Sequence, residues 1–229
     1  MARAVVTSEA ARARMVEQQL RRRDIADPRV LQAFAKVPRE EFVAPDTLEQ
    51  AYADGPLPIG FDQTISQPYV VAMTVQALEL AGHERVLEIG TGSGYAAAIL
   101  GAMVREVETV ERIEELARTA AERLARLGHG NVHVHHADGS LGWPAGAPYE
   151  AICVAAGAPA PPPSLLDQLA IGGRLVLPRG GADHQRLVRI VRRDERTFVE
   201  EDLGDVRFVL LVGAEGWPEL GEREPPAQA

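Results

Sequence analysis

The sequence predicts an α/β fold with a doubly wound, mostly parallel sheet, a helical extension at the N-terminal end and antiparallel strands at the C-terminal end. From residue 85 onward, short apolar runs alternate with amphipathic helical segments, the pattern of a parallel sheet whose strands are connected by helices. Two further strand candidates, 186–193 and 206–213, complete the sheet. The length of 229 residues suits one structural domain with additions.

The composition limits the partners and the compartment. The formal net charge of −9 argues against broad attraction to nucleic acid or to an anionic membrane. No apolar run approaches the roughly 20 residues that span a bilayer. The single cysteine, Cys153, excludes an internal disulfide and fits a reducing compartment. The arginine-rich start lacks the apolar core of a secretory signal, which leaves a transit peptide as the alternative to the cytoplasmic location that we expect. We also expect a monomer.

The region 1–80 is predicted to be a helical extension that carries a loop for the substrate and the cofactor. Its predicted elements are helices at 8–23, 27–37 and 67–82 and irregular chain rich in proline and glycine at 38–60. Ser8 is a candidate N-cap of the first helix. Asp27 and Pro28 have the residue types of an N-cap and a first helical position.

The region 81–217 is predicted to form the core of the fold. The predicted strands are 85–89, 107–111, 131–138, 149–157 and 174–180, and the predicted helices are 95–103, 113–128 and 164–173. Gly128 closes the most amphipathic of these helices. The segment 221–229 lacks large apolar residues, and we predict a disordered tail at 218–229.

The first strand of this core runs into a glycine-rich loop with the sequence Glu88-Ile-Gly90-Thr91-Gly92-Ser93-Gly94-Tyr95. Alternate glycines permit a tight turn and a close approach of the backbone to a ligand. Open parallel sheets bind ligands outside the carboxyl ends of their strands, where this loop lies. A dinucleotide fingerprint would place its third glycine where Tyr95 stands. A carboxylate at Glu88 would repel a pyrophosphate and suit a cationic ligand.

The spacing Glu-x-Gly-x-Gly-x-Gly is the usual opening motif of methyltransferases that use S-adenosyl-L-methionine, whose sulfonium and ammonium groups are cationic. The candidate cofactor contacts in this loop are Glu88, Gly90, Thr91, Gly92, Ser93 and Gly94. Glu111 ends the second strand, where an acid can accept both ribose hydroxyls, although dinucleotide enzymes also place an acid there. Asp138, followed by Gly139, ends the third strand and is a candidate acceptor for the adenine amino group.

The segment Gly60–Val71, GFDQTISQPYVV, places an amide, two hydroxyls and a proline just ahead of a predicted helix. Taken alone, Ser66 in this position indicates a turn or a helix N-cap. The chain nevertheless resembles the protein-L-isoaspartate O-methyltransferase family from about Met15 to Trp217. The motifs that carry the resemblance are VPREEFV, DGPLPIGFDQTISQPYVVAMTVQAL, VLEIGTGSGYAAAIL, the end of VETVE, HADGSLGW, YEAICVAAGAP and LLDQLAIGGRLVLPRG. The QTISQP block is far more specific to this family than the glycine motif.

The resemblance implies a Rossmann-like methyltransferase that transfers a methyl group from S-adenosyl-L-methionine to the free carboxylate of L-isoaspartyl residues in damaged proteins and peptides. S-adenosyl-L-homocysteine is then the second product, and the ester starts repair through a succinimide. A carboxylate with a pKa near 4 is already ionised at neutral pH, so the task is one of positioning. The resemblance implies that Ser66 is the catalytic residue and that Thr64 and Ile65 line the junction of cofactor and substrate. The residues implied to contact the substrate are Gln63, Thr64, Ile65, Arg207, Phe208 and Val209.

Two departures from the family leave the fit of the substrate open. Asp62 stands where relatives often have glycine, and Leu210 stands where they have proline in the motif Tyr/Phe-Val-Pro-Leu. The alternatives are a methyltransferase for a dedicated aspartate of a peptide natural product and a protein that binds the cofactor without catalysis. A nicotinamide oxidoreductase is disfavoured by the glycine spacing. We expect no metal site, because His133 and His135 point to one face of a strand and His136 to the other.

Overall fold

The structure, a computed structural model, describes residues 8–219. Its α-helices are α1 Ser8–Met15, α2 Pro28–Lys36, α3 Pro68–Ala77, α4 Tyr95–Gly101, α5 Glu114–Arg126 and α6 Pro163–Gln168. Its strands are β1 Leu57–Gly60, β2 Gln63–Ile65, β3 Arg85–Ile89, β4 Glu106–Glu111, β5 Val132–His136, β6 Tyr149–Val154, β7 Leu169–Gly180, β8 Gln185–Arg192 and β9 Phe198–Val206. A π-helical turn at Val16–Leu20 follows α1, and 3-10 turns lie at Arg21–Arg23, Arg39–Phe42, Pro45–Gln50, Gly139–Leu141 and Pro144–Gly146.

The main sheet has seven strands in the order β5-β4-β3-β6-β7-β8-β9. The strands β3 to β7 pair in parallel, whereas β8 and β9 are antiparallel additions. The predicted fold class is therefore confirmed. The chain order changes direction at β3, which lies between β4 and β6, and open α/β sheets bind ligands at such a switch point.

The N-terminal extension shares one core with a face of this sheet. Phe34 of α2 and Ile65 of β2 belong to the same buried cluster as Val86 and Val107 of the central strands. A second buried cluster, which includes Leu165 of α6, covers the other face. Because helices cover both faces, the central strands β3 and β6 are buried on both sides and consist largely of apolar residues.

Truncation of Phe34 is expected to destabilise the fold strongly. Its side chain is fully buried and meets the ring of Tyr95 edge-on, with a centroid distance of 6.0 Å. Phe34→Ala leaves a cavity beside Tyr95 and should lower the free energy of unfolding by about 3–5 kcal/mol in urea denaturation. The matched control is Phe198→Ala on β9, where the ring is 36% exposed and a change within about 0.5 kcal/mol is expected. Equal effects of the two substitutions would contradict this account of the core.

Two helices of the N-terminal extension, α2 and α3, begin where the sequence predicts, whereas the predicted cap at Ser8 lies at the first described residue and stays a prediction. The Asp27 side chain accepts a hydrogen bond from Arg29 N at 2.8 Å, and Pro28 is the first helical residue of α2. The helix predicted to reach residue 82 ends at Ala77, because Glu79 adopts a left-handed conformation at φ 50°. The segment 38–60, which was predicted to be irregular, ends in the strand β1.

Two predictions at the C-terminal side are wrong. The helix predicted for 164–173 ends at Gln168, since the chain from Leu169 onward belongs to β7 and pairs with β6. The last strand was predicted at 206–213, but β9 lies at 198–206, and the later segment forms only isolated bridges. β9 has mostly exposed side chains, so it lacks the apolar signal on which the prediction depended.

The predicted disordered tail falls almost entirely outside the described residues. Glu219 is described and forms an ion pair with Arg112, with a distance of 3.2 Å between Nη1 and Oε1. Residues 1–7 and 220–229 are outside the described part of the chain. Between residues 8 and 219, no helix is long and apolar enough to cross a membrane.

Candidate active site

The glycine loop connects β3 to α4 at the switch point of the sheet. Gly90, Gly92 and Gly94 have φ angles of 92°, 52° and 89°, a region that side chains other than glycine rarely adopt. Gly90 N donates to Val110 O at 2.8 Å, which fastens the loop to the end of β4. A Cβ on Gly92 would lie 3.3 Å from Ile59 Cδ1 of β1. The loop is therefore shaped by its glycines into a cradle that side chains would fill.

An open cleft of about 780 Å³, the solvent in its mouth included, lies above this cradle. Its walls come from the glycine loop, the ends of β4 and β6, the β2 hairpin and the segment after β9. The predicted site residues among its lining are Gln63, Thr64, Ile65, Ser66, Gly90, Thr91, Gly92, Ser93, Glu111, Gly139 and Val209. The structure thus brings together most of the residues that the sequence singled out.

Glu111 is a buried acid at the carboxyl end of β4 and lines this cleft. Its Oε2 accepts from Gly92 N at 2.9 Å, and its Oε1 accepts from Ile113 N at 3.0 Å. Through these two hydrogen bonds, the Glu111 carboxylate connects the glycine loop to the start of α5. Each oxygen has further acceptor capacity, so the same group can also accept hydrogen bonds from a ligand in the cleft.

Asp138 is half-buried and already engaged in local hydrogen bonds. Its Oδ1 accepts from Ser140 N at 2.9 Å and from Ser140 Oγ at 2.7 Å, and its Oδ2 accepts from Ala214 N at 2.8 Å. Gly139 lines the cleft next to it, and a Cβ on Gly139 would lie 2.6 Å from Ile89 Cγ2. The contact between Asp138 and an adenine stays a prediction. The carboxylate oxygens of Asp138 would have to accept from the adenine amino group as well as from Ser140 and Ala214.

Glu88 lies beneath the glycine loop, with its side chain buried in the sheet. Its Oε2 accepts from Thr109 Oγ1 at 2.5 Å, and the Thr109 hydroxyl lies 2.7 Å from that of Thr91, which lines the cleft. Burial raises the pKa of Glu88 to about 8, with a further contribution from the charge of Glu111 and an opposing one from Thr109. A direct contact of Glu88 with a cationic ligand stays a prediction. The structure links it to the cleft through Thr109 and Thr91.

The buried carboxyl of Glu88 is expected to make stability depend on pH. The folded chain keeps a proton on Glu88 up to a pKa of about 8, whereas the ordinary value is 4.5. Between pH 4.5 and about 8, the folded state therefore binds more protons than the unfolded state. The contribution of Glu88 to stability is largest below pH 4.5 and decreases as the pH rises through this window. Relative to Glu88→Gln, the free energy of unfolding should fall by about 1.4 kcal/mol per pH unit in this window. Urea denaturation over a pH series measures this difference, and a constant difference would contradict it.

The β2 hairpin holds the Gln63–Ser66 segment over the cleft. Thr64 is exposed, Ser66 is half-buried, and the hydroxyls of both form no hydrogen bond with the described residues. The N-cap position of α3 is Gln67, and no side chain caps this helix. Ser66 therefore does not serve as the N-cap that its sequence position also suggested, and its hydroxyl is available to a ligand.

A second cleft adjoins the first on the side of the β9 segment. Arg207, Phe208 and Val209 line it, together with Thr64 and Ser66, which line both clefts. The two clefts thus share a wall to which Thr64 and Ser66 contribute, together with Ala155, Val209 and Leu210. Val209 also lines both clefts and Gln63 lines the first, so the residues predicted for the cofactor and for the substrate lie around one shared junction.

The segment after β9 is held in place by its backbone. Phe208 N donates to Gln185 Oε1 at 2.8 Å, and Gln185 Nε2 donates to Phe208 O at 3.1 Å. Gly157 N donates to Val209 O at 2.7 Å, and Leu211 N donates to Gly157 O at 2.9 Å. Arg207 is exposed and forms no ion pair within residues 8–219.

Two functional candidates were missed by the sequence analysis. Gln185, only 1% exposed, positions Phe208 through both ends of its amide. Arg39 is fully buried and donates to Ser66 O. A glutamine at the start of a strand carries no sequence signal, whereas Arg39 lies within the VPREEFV motif.

The histidines and the cysteine are placed away from the cleft. His135 stacks on Trp143 with a centroid distance of 3.8 Å and bonds to Glu108. Among the described residues, no group of three or more histidine, cysteine, aspartate or glutamate side chains is arranged to hold a metal ion. Burial raises the pKa of Cys153 well above its ordinary value, which disfavours the reactive thiolate.

A parallel sheet of this order, with a glycine cradle at its switch point and an acid at the end of the next strand, defines the class of Rossmann-like methyltransferases. A family model for protein-L-isoaspartate(D-aspartate) O-methyltransferase matches residues 10–216. The chain belongs to this family.

Known proteins of this family are similar to the chain over nearly its whole length. A protein-L-isoaspartate O-methyltransferase of Rhodopseudomonas palustris is 58% identical over 204 residues, which cover 89% of this chain and 94% of the relative. A solved protein-L-isoaspartate O-methyltransferase superposes with a TM-score of 0.80 at 29% identity, over 90% of this chain and 67% of the other. A Plasmodium falciparum member, solved in complex with S-adenosyl-L-homocysteine, has a TM-score of 0.76 at 25% identity, with coverages of 88% and 98%.

Proposed function

We propose that this protein methylates the free carboxylate of L-isoaspartyl residues in damaged proteins and peptides, with S-adenosyl-L-methionine as the methyl donor. The observation that carries the proposal is the meeting of two clefts at Thr64 and Ser66, one above the glycine cradle and one along the segment after β9. A group-transfer enzyme needs such a junction, since donor and acceptor must approach from opposite sides. The family and its close relatives support the same activity.

The residues of the cleft fit the methyl donor. The cradle admits a close backbone approach, and the buried carboxylate of Glu111 offers acceptors for ribose hydroxyls. We assign the binding of this cofactor to the hairpin residues, the glycine loop and two strand ends. The assigned residues are Thr64, Ile65, Ser66, Glu88, Gly90, Thr91, Gly92, Ser93, Gly94, Glu111, Asp138 and Gly139. When bound, the cofactor supplies an electrophilic methyl group on a positively charged sulfur.

The protein residues have a positioning role in the transfer. A substrate carboxylate is ionised at neutral pH, so one of its oxygens forms the bond to the methyl carbon without prior proton removal. The carbon–sulfur bond breaks with its electron pair going to sulfur, and the products are a methyl ester and a neutral thioether. Ser66 and Thr64 hold the carboxylate in line with the breaking bond, and hydroxyl groups can do so without adding charge. Arg207, Phe208 and Val209 bind the flanking peptide, together with Gln63 and Ile65.

The decisive experiment uses two peptides that differ only in one aspartyl linkage, normal or iso, and S-adenosyl-L-methionine with a labelled methyl group. Transfer to the iso form alone is expected, together with a base-labile methyl ester in the product. Cofactor binding without transfer to either peptide would overturn the proposal. Transfer to both peptides would instead indicate a different carboxylate as the natural substrate.

We also propose that the protein is a monomer and acts in the cytoplasm. Its one cysteine is buried and free, as suits a reducing compartment. Sedimentation equilibrium should give the mass of a single chain, 24.7 kDa. A mass of twice this value would overturn the monomeric state.

A further inference from the structure

Arg39 is a buried arginine that contacts three separate segments around the candidate site. Its Nε donates to Ala51 O at 2.8 Å, and its Nη2 donates to Ser66 O at 2.9 Å. Its guanidinium lies over the ring of Tyr95, 4.8 Å from the centroid. Tyr95 is the first residue of α4 and lines the cleft. One side chain thus joins the hairpin of the candidate active site to the end of the cofactor loop.

The environment of Arg39 is unfavourable for a residue that only stabilises the fold. The side chain is 0% exposed, and its Nη1 has no hydrogen-bond partner in the described structure. Within residues 8–219 it forms no ion pair with a carboxylate; the two carbonyls accept its hydrogen bonds, and Tyr95 is the neighbouring side chain that most favours its charged form. Burial lowers the pKa of Arg39, but an arginine stays protonated at neutral pH. A buried cation without a counter-charge is costly, and such costs concentrate at functional sites.

We propose that Arg39 is a positioning residue for methyl transfer, which fixes the backbone at Ser66 relative to the cofactor loop. The guanidinium is planar and can donate in two directions at once, so Ala51 O and Ser66 O are held at a set separation. The Ser66 carbonyl belongs to the peptide that leads into α3, so the hydrogen bond from Arg39 fixes the position of the Ser66 backbone from which the hydroxyl extends. This inference rests on the proposed function, because it concerns the alignment of the substrate carboxylate.

The test compares Arg39→Lys and Arg39→Met with the wild-type protein. Lysine cannot reproduce the two-directional donation, and methionine provides no donor. We expect kcat for the isoaspartyl peptide to fall about tenfold in Arg39→Lys and about a hundredfold in Arg39→Met, since small misplacements of reacting groups have effects of this size. The Kd for S-adenosyl-L-methionine should change by less than about threefold. The control is Arg22→Lys, an arginine with a side chain that is 70% exposed, which should leave kcat unchanged.

The number of cofactor-binding sites is measured by calorimetry, and kcat is expressed per site. If Arg39 had only a structural role, its replacement would reduce the number of folded molecules but leave each of them fully active. A wild-type kcat per site in Arg39→Lys would overturn the proposal, even if Arg39→Met fails to fold. The wild-type protein is assayed first. Absence of isoaspartyl transfer there would overturn the proposed function itself, which separates that failure from a failure of the Arg39 proposal.

Discussion

Replacement of Ser66 by alanine is expected to lower kcat/KM for an isoaspartyl peptide by about a hundredfold, the size of effect seen when one group that orients reacting atoms is removed. Ser66 lines both clefts and its hydroxyl forms no hydrogen bond with the described residues, so we expect its loss to leave the surrounding structure unchanged. The contact of Ser66 O with Arg39 involves the backbone and persists in the variant. Steady-state assays with the labelled cofactor measure the effect.

Two measurements isolate the role of this hydroxyl. Ser66→Thr keeps a hydroxyl on the same atom and should retain more activity than Ser66→Ala. Calorimetry should show cofactor affinity within about threefold of wild type for both variants. Retention of more than about a third of kcat/KM by Ser66→Ala would remove Ser66 from the catalytic residues.

Replacement of Glu111 by glutamine is expected to weaken the binding of S-adenosyl-L-methionine by about a hundredfold, because hydrogen bonds to a charged acceptor contribute about 1.5–3 kcal/mol each. The carboxylate accepts from Gly92 N and Ile113 N, and an amide NH2 in place of either oxygen would face one of these donors. The substitution therefore disturbs the cradle and also removes an acceptor for the ribose. Isothermal titration calorimetry gives the Kd directly.

The matched control for this prediction is Glu114→Gln. Glu114 is an exposed acid in the first turn of α5, and the same change there alters the net charge equally without touching the cleft. Its Kd should equal that of the wild type. If Glu111→Gln binds the cofactor as tightly as the control does, Glu111 does not bind the ribose.

The parts of the fold that follow from local signals were predictable. α2 has its cap, its proline and its apolar face in the sequence. β3 and β6 are apolar runs at the expected places, whereas β4 and β5 interleave two valines each with polar residues. β9 was not predictable in this way. Its residues owe their strand conformation to pairing with β8, and its acids are matched by arginines such as Arg186 and Arg189. Such cross-strand pairs leave no periodic apolar pattern.

The turn of the β1–β2 hairpin shows the same limit. Phe61 and Asp62 both have positive φ, 53° and 56°, as a tight hairpin turn requires. The pair lacks the Asn-Gly or Asp-Gly signature of such turns, so no hairpin is predicted here from the sequence. The departure from glycine at Asp62 thus falls where the backbone favours glycine.

In the candidate site, the sequence identified the residue types but not all of their roles. The motifs located the glycine loop, Glu111 and the hairpin, and these residues meet at one cleft. The burial of Glu88 beneath the loop depends on which face of β3 it occupies, and the contact of Arg39 with Ser66 spans 27 positions of chain. Contacts of this kind arise from tertiary packing, so they require the structure.

The acidic strand β9 has a consequence for an enzyme whose substrates are damaged proteins. It is one of the two edge strands of the sheet, and such an edge can recruit a partly unfolded polypeptide as an additional strand, the first step of aggregation. Glu200, Glu201, Asp202 and Asp205 are exposed along it, and an added strand would bring new backbone against these charges. Charged edges oppose this pairing. The protein can therefore meet unfolded chains at its clefts without being joined to them along the β9 edge.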